Sequence, residues 1–409
     1  MPPIDSSTPV LALKAHHGTL GIARSLGRLG VAVHVMDADP RHPALASRYV
    51  TGAHLWNFGR TPAERSVERL LELGRVLGEG TVLIPTSDDT AELVAEHAGV
   101  LRQLFRFQEN PPELVRALSN KRELHALARR HGIPTAETSF PESLEEVRSF
   151  AATAGFPVML KASDGLRLQA RTGKKMVIAR SPEELLEWYQ RLEDPADPVL
   201  MLQEYIPGGD DTIWMFDGYF NRNSDCVFGV TGKKLRQFPV HTGATSLGIC
   251  LENAPTREQT CRFMKAIGYR GILDIGFRYD ARDGGYKLLD PNPRIGQTFR
   301  LFVAKEGWDV AHLLYLDLTG QALPAATPVE GRKWLVEDWD LESSLDYWRE
   351  GGLTVAEWLA SFEGVEEGAW FARDDLAPFG RVVRRLAARG WASLRKRLRL
   401  RVWPSEATP

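Results

Sequence analysis

Short apolar runs alternate with amphipathic segments at the start of the chain. Runs of strand length occupy residues 10–14 and 31–37, and apolar positions at helical spacing fill residues 21–30 between them. We interpret residues 16–21 as the turn that joins the first strand to this helix. The order strand, helix, strand is typical of a βαβ unit with parallel strands.

A further apolar run at residues 81–85 extends this pattern. It ends in the polar residues 86–89, at the position where a parallel sheet places its ligand contacts. The sequence therefore predicts a small open α/β domain over residues 1–115.

The pattern changes after this first domain. Asn120 can cap a helix, with Glu123 three residues later as in a capping box. Strand-like and helical runs then follow in an order typical of antiparallel α+β units: strands at 156–163, 174–180, 199–206, 271–280 and 286–294, and helices near 182–192, 256–267 and 307–319. We predict a second domain over residues 116–325, built from two subdomains at about 116–205 and 206–325.

The remaining segment, residues 326–409, differs in composition. It holds seven of the 11 tryptophans, and residues 381–403 carry nine Lys or Arg and no acidic residue. A basic amphipathic helix of this kind can lie on an anionic membrane surface, or it can pack its apolar side against the body of the protein. The sequence is compatible with either interpretation.

Composition and charge narrow the class of protein. A formal net charge of -2 gives no general attraction to nucleic acid. Three cysteines without a CxxC pair indicate a reducing compartment rather than a disulfide framework. The N-terminus lacks the pattern of a secretory signal, and no apolar run reaches the roughly 18 residues of a membrane span. We therefore expect a cytoplasmic protein.

The strongest chemical signal is Asp290-Pro-Asn292-Pro-Arg294 at the end of a predicted strand. Alternate residues of an extended chain share a face, so a carboxylate, an amide oxygen and a guanidinium project together. Hard oxygen ligands suit Mg²⁺ bridging ATP phosphates, and an arginine can offset charge on a transferring phosphoryl group. A hairpin with the preceding strand would bring Asp274 near Asp290, and two such carboxylates need a cation or a raised pKa. The alternative is an ordinary polar strand end.

Two lysines and one strand end complete the candidate site. Lys161 ends an apolar strand, where a lysine usually has a partner. Lys121 opens a helix whose free N–H groups favour anions, although it can equally be a solvated helix residue. Residues 203–206 close another strand before a Pro-Gly-Gly-Asp-Asp segment. Such a hinge can contact adenine through its backbone and ribose through an acid beyond it, or it is simply a strand end before a glycine turn.

Taken in this order, the segments resemble the ATP-grasp superfamily, and in particular its carboxylate–amine ligases. The matching pieces are SNKRELHALARRHGIPT, FPVMLKAS, LQEYIPGGDD, and GILDIGFRYD followed by LLDPNPR. The resemblance covers residues 110–320. It implies an α/β pre-ATP-grasp domain followed by an α+β ATP-grasp fold of two subdomains, with ATP in the cleft between them.

The resemblance also implies a role for individual residues. It places Lys121 and Lys161 on the ATP phosphates, Gln203, Glu204 and Ile206 around adenine, Asp211 or less favourably Asp210 on the ribose, Asp274, Asp290 and Asn292 on Mg²⁺, and Arg294 beside the transferring phosphate.

The chain departs from the family pattern in two places. Gly276 stands where the family usually has a glutamate, and Asp274, two residues earlier on the same strand face, is expected to replace it. The phosphate loop reads SDGLRLQARTGKK instead of being glycine-rich. Arg171, Lys174 or Lys175 would then supply charge in place of backbone amides, and we expect Lys175 among the nucleotide contacts.

Substrate contacts are less well indicated. One basic segment offers the candidates Lys233, Arg236 and Thr242, although it can equally be a hairpin on the rim of the cleft. Arg300, which follows the strand that carries Asp290, is a further candidate. Gly18 and Gly21 resemble an incomplete dinucleotide fingerprint, and the missing glycine argues against an NAD-dependent dehydrogenase.

These features predict an ATP- and Mg²⁺-dependent ligase. A substrate carboxylate would attack ATP to form an acyl phosphate, which an amine would then attack, with release of ADP and phosphate. The resemblance implies an amino acid or small peptide as substrate. Two alternatives are a nucleotide-binding module without turnover and an ATP-dependent carboxylase, although the chain contains no biotin-type partner domain.

Overall fold

Three β-sheets organise the computed structural model of this protein, which describes residues 3–162, 176–194 and 200–402. For residues 392–402 it describes the course of the helix and not the side chains. Among the described residues, none of the helices combines the length and the apolar character that a bilayer-spanning segment needs.

The N-terminal sheet has five parallel strands in the order β3-β2-β1-β4-β5. Its elements are β1 (Val10–Leu13), α1 (His17–Gly27), β2 (Val33–Asp37), a 3₁₀ turn η1 (Pro43–Ala46), β3 (Val50–Leu55), α2 (Ala63–Leu77), β4 (Thr81–Pro85), α3 (Asp88–Glu96), α4 (Ala98–Leu101) and β5 (Phe105–Arg106). The predicted βαβ unit is confirmed, and β1 at the centre is buried along its whole length.

The predicted turn at residues 16–21 is wrong, because α1 already begins at His17. The cause is a local cap: the His16 ring accepts from the backbone N–H of Thr19, and the Thr19 hydroxyl accepts from the backbone N–H of His16. This reciprocal pair satisfies two free backbone donors and starts the helix one turn earlier.

The second sheet has four antiparallel strands in the order β6-β9-β7-β8. Its strands and the neighbouring helices are α5 (Pro112–Ser119), α6 (Lys121–Arg130), β6 (Thr138–Ser139), α7 (Leu144–Thr153), β7 (Val158–Ala162), β8 (Met176–Ala179), α8 (Pro182–Leu192) and β9 (Leu200–Glu204). The predicted cap of α6 is confirmed, since the Asn120 side chain accepts from the backbone of Arg122 and Glu123.

The third sheet has seven strands in the order β14-β13-β10-β11-β12-β15-β16. Its elements and helices are η2 (Asp210–Thr212), β10 (Ile213–Phe220), β11 (Cys226–Phe238), β12 (Ala244–Cys250), α9 (Ala254–Ile267), β13 (Gly271–Asp280), β14 (Gly285–Asn292), η3 (Phe299–Leu301), α10 (Val310–Leu318), β15 (Lys333–Leu335), α11 (Glu337–Arg349), α12 (Val355–Ala360), β16 (Val365–Gly368) and α13 (Ala377–Val402). The predicted hairpin of β13 with β14 is confirmed.

The C-terminal segment is part of the packed body. Strands β15 and β16 extend the third sheet beyond β12. One apolar cluster joins Val10 of β1 and Leu314 of α10 to Trp334 of β15 and Val382 of α13. The first turns of α13 therefore pack on the protein, while the domain boundaries stay a prediction.

A buried arginine links the N-terminal domain to the C-terminal segment. Arg24 of α1 is 2% exposed, and its Nε lies 3.0 Å from Asp375 Oδ2. The same guanidinium donates to the backbone carbonyls of Ala369 and Trp370. Removing one partner of such a pair leaves an uncompensated buried charge.

We predict that Arg24→Ala lowers the free energy of unfolding by about 3–5 kcal/mol, because Asp375 is left buried and unpaired. Arg28→Ala is the matched control. Arg28 pairs with Asp374, but both side chains are more than a third exposed, so its loss should cost under about 1 kcal/mol. Denaturant unfolding of the two variants measures both values, and equal losses would show that the buried pair is not what joins the segments.

Candidate nucleotide and metal site

A cleft of about 490 Å³ lies between the third sheet, the start of α3 and the α5–α6 segment. It is lined from the third sheet by Asp274, Asp290, Asn292 and Lys234, from the N-terminal domain by Asp88, from α6 by Lys121, and by Arg294 just beyond β14. A narrower cavity adjoins it and shares Lys121 and Asp290, and its other polar lining includes Lys161 and Gln203. The structure thus brings most of the predicted phosphate and metal residues to one place.

The three predicted metal residues come from the β13–β14 hairpin. Asp274 lies directly opposite Asn292, and the Asn292 side-chain amide donates to Asp274 Oδ2 at 3.4 Å. Asp290 is two residues before Asn292 on the same strand and is exposed to the cleft. Burial raises the pKa of Asp274, and Arg294 and Lys234 oppose this rise. A cation would favour the charged form of Asp274 in the same way.

This set of side chains fits Mg²⁺ shared with phosphates. In the described part of the chain, the contact with Asn292 is the only hydrogen bond to the Asp274 carboxylate. No described group of three or more His, Cys, Asp or Glu side chains is arranged to hold a metal ion by itself. Magnesium usually takes one or two carboxylates and completes its shell with water and substrate phosphates. Two aspartates and an amide oxygen match that habit.

The backbone at Gly276 leaves space for a side chain. A Cβ atom built there would be 3.9 Å from the Asp290 carbonyl oxygen and 3.9 Å from the Leu289 Cβ atom, which is ordinary contact. A Cβ at Gly296, by contrast, would lie 2.3 Å from Asp274 Oδ2. Gly296 is therefore required by the close approach of Asp274, whereas Gly276 is not required by crowding.

Three lysines surround the two aspartates. Burial lowers the pKa of Lys161 at the end of β7, and nearby Asp290 opposes this effect. Lys121 lies with its Nζ 3.5 Å from the Ala162 carbonyl oxygen, beside Lys161. Lys234 of β11 donates to the Gly243 carbonyl at 3.0 Å, and burial lowers its pKa while Asp274 and Asp290 oppose this. An anionic ligand such as a triphosphate would stabilise the charged form of these lysines.

Lys234 lines the cleft, whereas the sequence pattern favoured its neighbour Lys233 as a ligand contact. Successive residues of a strand point to opposite faces, and here Lys234 faces the cleft. The Lys233 ammonium lies 4.7 Å from the centre of the Trp214 ring instead. The sequence Lys-Lys contains no signal that distinguishes the two faces.

Asp88 is a further cleft residue that was not among the predicted site residues, although the polar end of the segment 81–89 was expected to face a ligand. It begins α3 just beyond β4, and its Oδ1 lies 2.9 Å from Arg294 Nε. Arg294 donates in addition to Asn292 Oδ1 at 2.9 Å. The Arg294 guanidinium therefore connects β14, which carries Asn292, to the N-terminal domain.

A further carboxylate lies on β10, the strand that pairs with β13. Asp217 of β10 pairs across the sheet with Asp274 and is completely buried. Burial raises the pKa of Asp217 well above its usual value, and Asp274 adds to the rise. Neither of its oxygens has a hydrogen-bond partner among the described residues. Burial therefore disfavours the charged form of Asp217.

The predicted adenine residues lie around the end of β9. Gln203 lines the narrower cavity and donates to the Thr138 hydroxyl at 2.9 Å. Glu204 accepts from the backbone of Glu137 and pairs with Arg282 at 2.5 Å, and Ile206 is 4% exposed. These contacts order the hinge.

The two ribose candidates differ in their surroundings. Asp210 accepts from the side chains of Gln237 and Tyr347. Asp211 is exposed, and no described group hydrogen-bonds its carboxylate. Asp211 is thus the better placed of the two for a ligand.

The predicted substrate residues do not line the described cleft. Arg236 is buried and grips Asp340 through two hydrogen bonds of 2.7 and 3.0 Å. Arg300 lies between Asp309 and Glu367, each at 2.6 Å. Thr242 is exposed in the turn after β11. Lys175, together with Arg171 and Lys174, lies outside the described residues.

The fold is that of ATP-grasp proteins. Residues 120–207 match the family model "Carbamoyl-phosphate synthase L chain, ATP binding domain". The chain is 24% identical over 327 residues to a D-aspartate ligase of Enterococcus faecium, an alignment that covers 76% of each chain. It spans about half or less of the carbamoyl phosphate synthase chains that it also matches.

Solved structures show the same fold at low sequence identity. The biotin carboxylase domain of Hydrogenobacter thermophilus 2-oxoglutarate carboxylase, in complex with MgADP, ADP and bicarbonate, has a TM-score of 0.61 at 18% identity and covers 80% of this chain and 73% of its own. The L-amino acid ligase of Bacillus licheniformis has a TM-score of 0.57 at 13% identity and covers 80% and 76%. The predicted resemblance to ATP-grasp carbon–nitrogen ligases is confirmed, and the first of these structures holds MgADP.

We predict that Asp274→Asn raises the Mg²⁺ concentration needed for ADP formation, because one charged ligand oxygen is lost. Gly276→Glu in the Asp274→Asn background should restore the lower requirement, since the structure has space for a side chain at this position. The measurement is the Mg²⁺ dependence of ADP release in both variants. A wild-type curve for Asp274→Asn would show that Asp274 is only a strand residue.

Proposed function

We propose that this protein joins a carboxylate to an amine, forming an amide or peptide bond with release of ADP and phosphate. The observation that carries the proposal is the convergence of Lys121, Lys161, Asp290 and Arg294 on the cleft and the narrower cavity that adjoins it. Positioning and charge stabilisation are the main requirements of phosphoryl transfer, and no protein nucleophile is needed.

The residues of the cleft have separate roles in the proposed reaction. Lys121, Lys161 and Lys234 hold the phosphates of ATP, and Gln203, Glu204 and Ile206 border its adenine. Asp274, Asp290 and Asn292 would hold Mg²⁺, which when bound offsets phosphate charge. Arg294 stabilises the phosphoryl group as the substrate carboxylate attacks it.

Asp88 contributes an acidic side chain to the wall of the cleft. We propose that it receives the ammonium group of an amino acid or peptide, while Arg294, 2.9 Å away, stays near the reacting phosphate. The similarity to a D-aspartate ligase and an L-amino acid ligase supports this substrate class.

Asp211 is proposed for the ribose. The proposed organisation is a pre-ATP-grasp domain (1–115), an ATP-grasp domain (116–325) and a C-terminal extension (326–409).

The test is an ADP-release screen with amino acids as carboxylate and amine substrates, followed by mass spectrometry of the product. We predict ADP formation only when both substrates are present.

Lys234→Ala should lower kcat/KM roughly 100-fold by removing a phosphate contact, whereas Lys233→Ala, its neighbour on the opposite face, should leave turnover unchanged.

Asp88→Asn adds a second arm to this experiment. It should raise KM for the amine substrate without changing MgATP affinity. Thermal stabilisation by MgATP with no turnover would favour a nucleotide-binding module instead. ADP release that depends on bicarbonate alone would favour a carboxylase, the activity class of one structural neighbour.

We also propose that the basic end of α13 contacts anionic membrane surfaces. Val382 anchors the start of this helix, whereas Trp391 is 65% exposed, and the segment 381–403 has no acidic residue. Exposed aromatic and basic side chains on one helix suit a lipid headgroup layer.

The full chain is therefore predicted to co-sediment with phosphatidylserine-containing vesicles at low salt and to be released at high salt. A truncation that removes residues 392–409 keeps the buried Val382 and should abolish sedimentation. Neutral phosphatidylcholine vesicles are the control. Equal sedimentation of the truncated protein would contradict the proposal.

A further inference from the structure

A separate cavity of about 460 Å³ lies on another part of the molecule and shares no lining residue with the cleft or with the narrower cavity beside it. It is formed by β5 and the segment after it, the end of β10, the start of β13 and the end of α10. Four arginines border it: Arg102, Arg106, Arg222 and Arg270. The proposed ligase chemistry uses none of them.

The arginines are only partly neutralised by the protein. Among the described residues, neither Arg222 nor Arg270 has a carboxylate within ion-pair distance. The Arg106 guanidinium donates to the carbonyl of Leu318 at 3.2 Å, and Arg102 lies 3.8 Å from Glu109.

The remaining acid of the cavity wall is also engaged. Asp317 accepts the hydroxyl hydrogen of Tyr219. Four guanidinium groups against the carboxylates of Glu109 and Asp317 leave an excess of two positive charges. Like charges held around one concave surface favour the binding of an anion.

The shape of the cavity indicates the class of anion. Guanidinium groups bind phosphate through paired N–H donors, and a phosphate monoester carries close to two negative charges at pH 7. Phe105, Phe107 and Phe220 also border the cavity, with 1–4% of each residue exposed. An organic phosphate, with a charged group and a carbon skeleton, matches both parts of the wall.

The side chain of Gln108, in the wall of this cavity, connects it to the β13–β14 hairpin that carries Asp274 and Asp290. Gln108 Oε1 accepts from the backbone N–H of Ile272 at 3.0 Å, and its Nε2 donates to the Pro293 carbonyl at 3.0 Å. Ile272 is two residues before Asp274, and Pro293 directly precedes Arg294. A ligand that moves Gln108 would therefore act on both strands of the candidate site.

We propose that this arginine-lined cavity is a regulatory site for a small phosphate ester, coupled to the cleft through Gln108. Binding at the cavity is independent of the proposed ligase activity, whereas the coupling rests on it. The two parts are tested by separate measurements.

The binding test uses isothermal titration with the cleft filled by Mg²⁺ and a non-hydrolysable ATP analogue. The probes are ribose 5-phosphate and inorganic phosphate. We expect Arg222→Ala/Arg270→Ala to weaken binding roughly tenfold or more. The control Arg148→Ala/Arg262→Ala removes the same charge from exposed positions outside the cavity and should bind as wild type.

The two probes distinguish the source of the phosphate group. Tighter binding of ribose 5-phosphate supports an organic ester, and equal binding of both probes would overturn that part of the proposal in favour of free phosphate. Equal affinity in wild type and Arg222→Ala/Arg270→Ala would overturn the site itself.

The coupling test measures ADP formation with and without ribose 5-phosphate. We expect the ester to change kcat in the wild type but not in Gln108→Ala, which should still bind it. An ester that binds without any effect on turnover would overturn the regulatory role. Absence of turnover in every condition would contradict the proposed function and leave the titration result standing.

Discussion

The pairing of β13 with β14 is the constraint on which the candidate site depends. Asp274 lies opposite Asn292, and the register becomes irregular between Ile275 and Phe277. Such irregularities re-aim side chains and are common beside active sites. A slip of one residue would turn Asp274 toward the buried face of the sheet and separate it from Asp290. The cleft therefore depends on backbone hydrogen bonds as much as on its side chains.

The charges of the cleft are poorly satisfied by the protein alone. Burial lowers the pKa of Lys161 and Lys234 and raises the pKa of Asp274. In each case burial disfavours the charged form, and groups of opposite charge nearby favour it. A ligand that brings both phosphate and a cation would favour all three charged forms together. The same electrostatics therefore supports nucleotide binding and metal binding at one place.

Buried arginines join segments that are far apart in the chain. Arg24 pairs with Asp375, Arg236 with Asp340, and Arg300 with Glu367. In each pair the carboxylate comes from the C-terminal segment. This segment therefore supplies charge partners as well as strands β15 and β16, and it is integrated into the fold. An arginine in such a pair is held in place and is not available to a substrate in this arrangement.

Local sequence patterns were sufficient for the elements that carry the site. The Asn120 cap, the lysine at the end of β7 and the hairpin that places Asp274 beside Asp290 follow from capping, burial and strand periodicity. The capped start of α1 at His17 was missed because a histidine is an uncommon cap. The roles of the individual site residues stay predictions.

The sequence by itself determined the class of fold and most of the charged residues that meet in the cleft, because each signal lies within one or two adjacent elements. The tertiary structure alone decided that Lys234 rather than Lys233 faces the cleft, that Asp88 meets Arg294, and that Arg236 and Arg300 have buried carboxylate partners. The physical reason is that strand register and ion pairing depend on residues up to hundreds of positions away. A local pattern therefore contains no information about which distant residue becomes the partner.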